Sequence, residues 1–133
     1  MAVHPYKKDL QELWKSLIRL FRKEPLVVWT TVISTVLWLG TLLLPIWRIL
    51  PTASESPFVA LHYNIYLGVD RFGPVVNLFF LPALGFFFLI LNVLISAWAY
   101  RSQKILSFFF STATPFLELI LLAAMTLIVL INV

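Results

Sequence analysis

The stretch LVVWTTVISTVLWLGTLLL, Leu26 to Leu44, runs for nineteen residues without a charged side chain. At about 1.5 Å of rise per residue, a helix of that length crosses a hydrocarbon core about 30 Å thick. A cleaved leader ending at the small residues Thr52, Ala53 and Ser54 is the competing reading. The apolar run is too long for a leader and the charged segment ahead of it too extended, so a retained span is expected. Outward from it the same signal returns twice. Val75 to Trp98 is uncharged, interrupted only by Asn77, Pro82, Gly85 and Asn92. Ala113 to Asn132 carries one charge, Glu118, with Pro115 in its first turn.

Composition agrees with lipid as the solvent. Of 133 residues, 61% are hydrophobic and 12% charged, against roughly 45–50% and 25% in an average soluble chain. A single domain of this size could not hide that much apolar surface in water. The formal net charge of +4 is assigned to membrane orientation, not to nucleic acid. The chain has no cysteine, which excludes disulfides, thiolate metal sites and thiol chemistry.

These readings order the chain. Residues 9–24 form an amphipathic helix, with Leu10, Leu13, Trp14, Leu17, Ile18 and Phe21 on one stripe and Lys15, Arg19, Arg22 and Lys23 on the other faces. It is expected to lie in the membrane interface; packing on the rest of the protein is the alternative. The first span covers 26–48, kinked or frayed at Pro45 and Pro51, with Trp29 and Trp47 near its ends. An extracytoplasmic loop, 49–73, holds Glu55, Asp70 and Arg71. The second span covers 75–98, a cytoplasmic loop 101–112, and the third span 113–132. Within that second loop Phe108, Phe109 and Phe110 read as an interfacial anchor.

Six basic residues precede the first span and two, Arg101 and Lys104, follow the second, against Arg48 and Arg71 in the first loop. The positive-inside rule then puts the N-terminus in the cytoplasm and the C-terminus outside. The predicted fold class is all-α integral membrane: three transmembrane helices and an interfacial helix, with a short extended or turn motif in the outer loop. Its place is the cell membrane.

That outer motif, Leu61 to Pro74, reads LHYNIYLGVDRFGP. Val59, Leu61, Tyr63 and Ile65 alternate with Ala60, His62, Asn64 and Tyr66, which predicts a short extended strand with one face on the bundle mouth. Gly68 and Gly73 supply turn positions, and Asp70 suits a turn through its own side chain. His62, Asn64 and Asp70 are expected to satisfy backbone groups there. One histidine with one carboxylate falls short of a zinc site. There is no nucleophile–histidine–acid set, phosphate loop or histidine pair at metal spacing, so neither catalytic residues nor a cofactor are predicted.

The order His62, Tyr63, Asn64, then Gly68, then Asp70, Phe72 and Gly73, with Leu50 and Pro51 upstream, resembles the short membrane domain of bacterial immunity proteins against the sporulation-delaying toxin. Three residues lie between Asn64 and Gly68 where that family has two, Ala60 replaces its proline, and Pro74 stands where it has serine. The resemblance implies a membrane protein of toxin immunity or signalling, with those seven residues as its binding motif. The layout is also similar to that of small three-span bacterial membrane proteins.

Ionisable and amide groups inside the spans complete the candidates: Glu118, Asn92 and Asn77. With the third helix beginning near 113, Glu118 lies shallow enough to reach the headgroups. Alternatively it hydrogen-bonds among Thr31, Ser34, Asn92 and Ser96, and Asn77 and Asn132 anchor the outer loop. The function expected is non-enzymatic: an immunity, sensor or accessory protein meeting the bilayer and a protein partner or a second copy. The alternatives are an oligomeric transporter or channel using Glu118, and an envelope or lipid enzyme using His62 and Asp70 as an acid–base pair.

Overall fold

A computed structural model describes residues 5–52 and 58–133, with side chains from Lys8 onward. Ala53, Ser54 and Glu55 lie outside the described residues. The elements run α1 (Pro5–Lys23), α2 (Pro25–Arg48), β1 (Phe58–Asn64), β2 (Gly68–Pro74), α3 (Phe80–Ala99) and α4 (Lys104–Leu130). Short 3-10 turns follow α2 at Leu50–Thr52 and precede α3 at Val75–Phe79. Among the described residues three segments are long and apolar enough to cross a membrane: Pro25–Thr52, Val75–Ala99 and Lys104–Leu130, of 28, 25 and 27 residues. By that length and composition the chain is a multi-pass membrane protein.

Lipid tails are as apolar as leucine, so helices in a membrane gain little from burying leucine against each other. Close approach over small and hydrogen-bonding residues is favoured instead. Six of the seven buried positions of α3 follow that rule, Pro82, Gly85, Leu89, Asn92, Ser96 and Ala99, spaced alternately three and four apart; the seventh, Ala97, faces α1. In α4 they are Ser107, Ser111, Thr114, Glu118, Met125 and Val129; in α2, Val27, Ser34, Thr41 and Pro45. This is the seam spacing of left-handed helix packing. Hydrogen bonds cross it from Asn92 Nδ2 to Thr114 Oγ1 at 3.1 Å, from Ser96 Oγ to the Ser107 carbonyl at 3.1 Å, and between Thr30 and Ser111 hydroxyls at 2.6 Å. Trp38 Nε1 donates to the Pro82 carbonyl at 2.9 Å.

Apolar clusters close the two ends of this seam. At one end Leu20, Val27, Ala97 and Tyr100 come together, bringing α1 onto α2 and α3. At the other, Ile49, Val59, Leu78, Met125 and Val129 join the hairpin base to the helix ends.

The structure departs from the sequence expectations in the outer motif and at the start of the third spanning helix. The outer motif is a two-stranded antiparallel sheet, so the fold is not wholly α. The expected loop 101–112 is mostly helix: α4 starts at Lys104, and only Tyr100 to Gln103 make the turn. The serines and threonines of 107–114 sit inside α4, where Thr112 and Thr114 hydroxyls donate to the carbonyls of Phe108 and Phe110. Phe108–Phe110 are therefore helical residues, and Pro115 lies inside the helix. Such a proline is tolerated in a span because hydroxyls and neighbouring helices satisfy the freed backbone. Moving the helix start also moves Glu118 to the middle of its span, roughly 20 Å from the N-terminal end of α4.

The apolar stripe of α1 divides. Leu20 is buried, Leu13, Leu17 and Phe21 half-buried, while Leu10, Trp14 and Ile18 remain outside the protein core. Ser16 Oγ donates to the Ala97 carbonyl at 2.6 Å, pinning α1 across the end of α3.

Candidate functional site

The hairpin is built by local backbone chemistry. Asn64 and Gly68 pair across a three-residue loop, Ile65, Tyr66 and Leu67. Gly68 has φ of +75°, the left-handed conformation that closes a loop of this length and suits glycine. The Asn64 side-chain oxygen accepts from the Tyr66 N–H at 2.9 Å, fixing the first half of the turn.

Register matches Phe58 with Pro74, Val59 with Gly73 and Ala60 with Phe72, then slips on either side of His62. Leu61 and Asp70 are left without ladder partners at the irregularity. There the His62 ring Nδ1 meets Asp70 Oδ1 at 2.6 Å. The pair is a salt bridge when the imidazole is protonated and a hydrogen bond otherwise. It is solvent-facing, with the His62 side chain 62% exposed and that of Asp70 31%.

The base of the hairpin is held firmly. Val59 and Leu61 pack into the apolar cluster with Leu78 and Val129. Asn132, just past α4, accepts from the Ala60 N–H at 2.8 Å and donates to the Ala60 carbonyl at 2.7 Å and the Ile128 carbonyl at 2.8 Å. Its amide thus does for the outer edge of β1 what a third strand would do. Gly73 makes room for two side chains: a Cβ there would stand 2.5 Å from Leu61 Cδ1 and 2.9 Å from Asn77 Nδ2, and both would have to shift.

The tip is the opposite case. Ile65, Tyr66 and Leu67 are 81, 91 and 76% exposed, and Tyr63 and Phe72 also face outward. The expected alternation therefore holds only near the base. Val59 and Leu61 turn inward, Ala60 is buried as well, and Tyr63 and Ile65 are exposed. Of His62, Asn64 and Asp70, expected to serve backbone groups, Asn64 does so and the other two bind each other. Among the described residues no three His, Cys, Asp or Glu side chains gather closely enough to hold a metal.

The seven candidate binding residues thus share one hairpin in three roles: turn and base (Asn64, Gly68, Gly73), a polar pair (His62, Asp70), and outward aromatics (Tyr63, Phe72). The intramembrane candidates lie apart. Asn77 is at the hairpin end beside Gly73. Asn92 is committed to Thr114. Glu118 is fully buried, and among the described residues neither of its carboxyl oxygens has a hydrogen-bond partner. The expected partners are taken: Thr31 and Ser34 donate to the Val27 and Thr30 carbonyls of their own helix, and Ser96 to the Ser107 carbonyl. Glu118 faces Gly85 instead, where a Cβ would come within 2.8 Å of its Oε2.

Sequence reasoning missed Trp38, Ser16, and the bond from the Tyr100 hydroxyl to Glu24 Oε1 at 2.7 Å. The signal available for that bond was a carboxylate and a phenol each standing at the border of a span. That hydrogen bond and then burial raise the Tyr100 phenol above its ordinary pKa of 10.0. The chain has no significant match among known protein families, curated proteins or solved structures. What the hairpin does rests on its own geometry.

Proposed function

We propose that the protein works by contact and not by catalysis, its hairpin meeting a partner protein. The observation that carries this reading is an exposed apolar tip mounted on a fixed base. Large apolar side chains gathered outside a core favour a binding surface. A tethered hairpin also loses little conformational freedom on docking. Among the described residues the outer backbone edge of β2 has no partner, whereas the edge of β1 is engaged at Ala60 by Asn132. A partner strand adding to β2 would use its free backbone groups and be read by the neighbouring side chains. The likeness of His62 to Gly73 to the toxin-immunity domain supports the same kind of role.

The six basic residues ahead of the first span and the two between the second and third support a cytoplasmic N-terminus, with the hairpin on the outer face of a bacterial cell membrane. The outward Leu10, Trp14 and Ile18 support α1 lying in the interface.

The test places a photo-reactive residue at position 66 of the full chain in its native membrane. A discrete cross-linked adduct is expected, lost in the Leu67→Ser and Phe72→Ser variants while membrane insertion is unchanged. Cross-linking to lipid alone would overturn the reading.

One observation favours a second reading, a subunit of an oligomeric transporter or channel: the buried, unpartnered carboxyl of Glu118 at mid-span. Ionisable groups at that depth commonly mark ion or proton routes. Ion flux into liposomes carrying the purified protein, abolished by Glu118→Gln, is the expected sign. Absence of flux in the wild type removes it.

A further inference from the structure

At the end of the bundle opposite the hairpin, α1 lies across α3 at the level of Ala97, and its two flanks border cavities of opposite character. On one flank, toward the middle of the span, Leu13, Trp14 and Leu17 meet Leu94 around an apolar groove of about 410 Å³. On the other flank a cavity of about 340 Å³ opens between α1 and the turn from α3 to α4. Its charged lining is Lys15, Arg19 and Lys23 from α1, Arg101 and Lys104 from the turn, and one carboxylate, Glu12.

The charges do not cancel. Glu12 is shared by Lys15 Nζ at 3.2 Å and Arg101 at 3.7 Å, and the bond from Lys15 holds its carboxyl below the ordinary value of 4.5. Glu24, nearby, is taken by the Tyr100 hydroxyl. Lys104 Nζ sits 5.3 Å from the centre of the Tyr100 ring. Among the described residues Arg19, Lys23 and Lys104 have no carboxylate within salt-bridge distance. Five cations from two elements therefore converge on one cavity whose lining holds a single carboxylate, Glu12, so the site keeps a positive excess.

We infer that this cavity binds the phosphate group of an anionic phospholipid. Guanidinium and ammonium groups grouped beside a span are the chemistry that recognises such headgroups. The source is the bilayer because the same helix carries the apolar groove on its other flank, with Leu10 and Trp14 exposed beside it. Lys15 lines both cavities, so a phosphate bound by the cations leaves the acyl chains on the apolar side of α1. The inference stands independently of the hairpin's role and of the chain's orientation.

The test is native mass spectrometry of the full chain in a mild non-ionic detergent, titrated with phosphatidylglycerol, phosphatidylcholine or inorganic phosphate. Phosphatidylglycerol is expected to bind at least about tenfold more tightly than phosphatidylcholine, as for several cations each contributing near a membrane surface. The double variant Arg19→Gln, Lys23→Gln should weaken it roughly 30-fold and Lys104→Gln, on a different element, roughly fivefold. The double variant Lys8→Gln, Arg22→Gln removes equal charge from α1 outside the cavity and should change it less than about threefold. Equal binding of both lipids, or equal loss in both double variants, would overturn the site. Inorganic phosphate binding as tightly as phosphatidylglycerol would overturn the lipid assignment and leave a site for a soluble phosphate anion.

Discussion

Asn132 shows how much of the hairpin depends on a single side chain. Its amide supplies both the donor and the acceptor that the outer edge of β1 needs at Ala60. Asn132→Leu leaves that N–H and carbonyl unpaired in a buried place, a loss of about 1–3 kcal/mol. Hydrogen exchange is expected to quicken at the Ala60 amide and through β1, with protection in α3 and α4 unchanged. Tyr100 is the corresponding residue at the other end. Its phenol is raised by the hydrogen bond to Glu24 and by burial, so the neutral form is the one the fold favours. The stability it contributes is therefore fully present below pH 10 and is lost as pH climbs through the raised value. The tyrosinate absorbance missing from Tyr100→Phe, relative to wild type, should develop above pH 10.

At the scale of the helices, the contact between α3 and α4 rests on absence of bulk at Gly85. A methyl group there would meet Glu118 Oε2 at 2.8 Å, Trp38 Cδ1 at 3.2 Å and Leu121 Cδ1 at 3.3 Å. Gly85→Ala is expected to destabilise the bundle by about 1–3 kcal/mol, the usual cost of overpacking. Glu118→Ala in the same chain removes the nearest of those atoms and should recover part of the loss, a coupling readable in a double-mutant cycle of unfolding in mixed micelles. Full additivity would show that the two side chains do not share this space. The seam around them was present in the sequence, since Pro82, Gly85, Leu89, Asn92, Ser96 and Ala99 already stand at alternating spacing. Read singly, however, Pro82, Gly85 and Asn92 looked like interruptions of an apolar run.

Across the whole molecule, two ends of different chemistry are separated by the spans: an apolar-tipped hairpin at one and a cluster of cations at the other. The orientation proposed for them is open to a direct check because the chain has no cysteine. With single cysteines introduced at positions 64 and 103, a thiol reagent that cannot cross membranes should label position 64 in intact cells and position 103 only after lysis. The reverse pattern would invert the proposed topology and place the hairpin inside. Both cysteines labelling in intact cells would remove the three-span arrangement altogether.

Three spans, their approximate course and Gly68 as a turn position were legible in the sequence, because hydropathy and backbone preference are local and sum along the chain. The same local reading misplaced the start of α4, since hydroxyl groups that mark loops in water serve inside a membrane helix by bonding the preceding turn. Which side chains meet is settled in three dimensions: His62 with Asp70, Asn132 with Ala60, Glu118 with Gly85, and the cations around one cavity. Those meetings depend on how each helix is rotated and how closely its neighbour approaches. Both are set by packing between segments far apart in the chain, which no local pattern records.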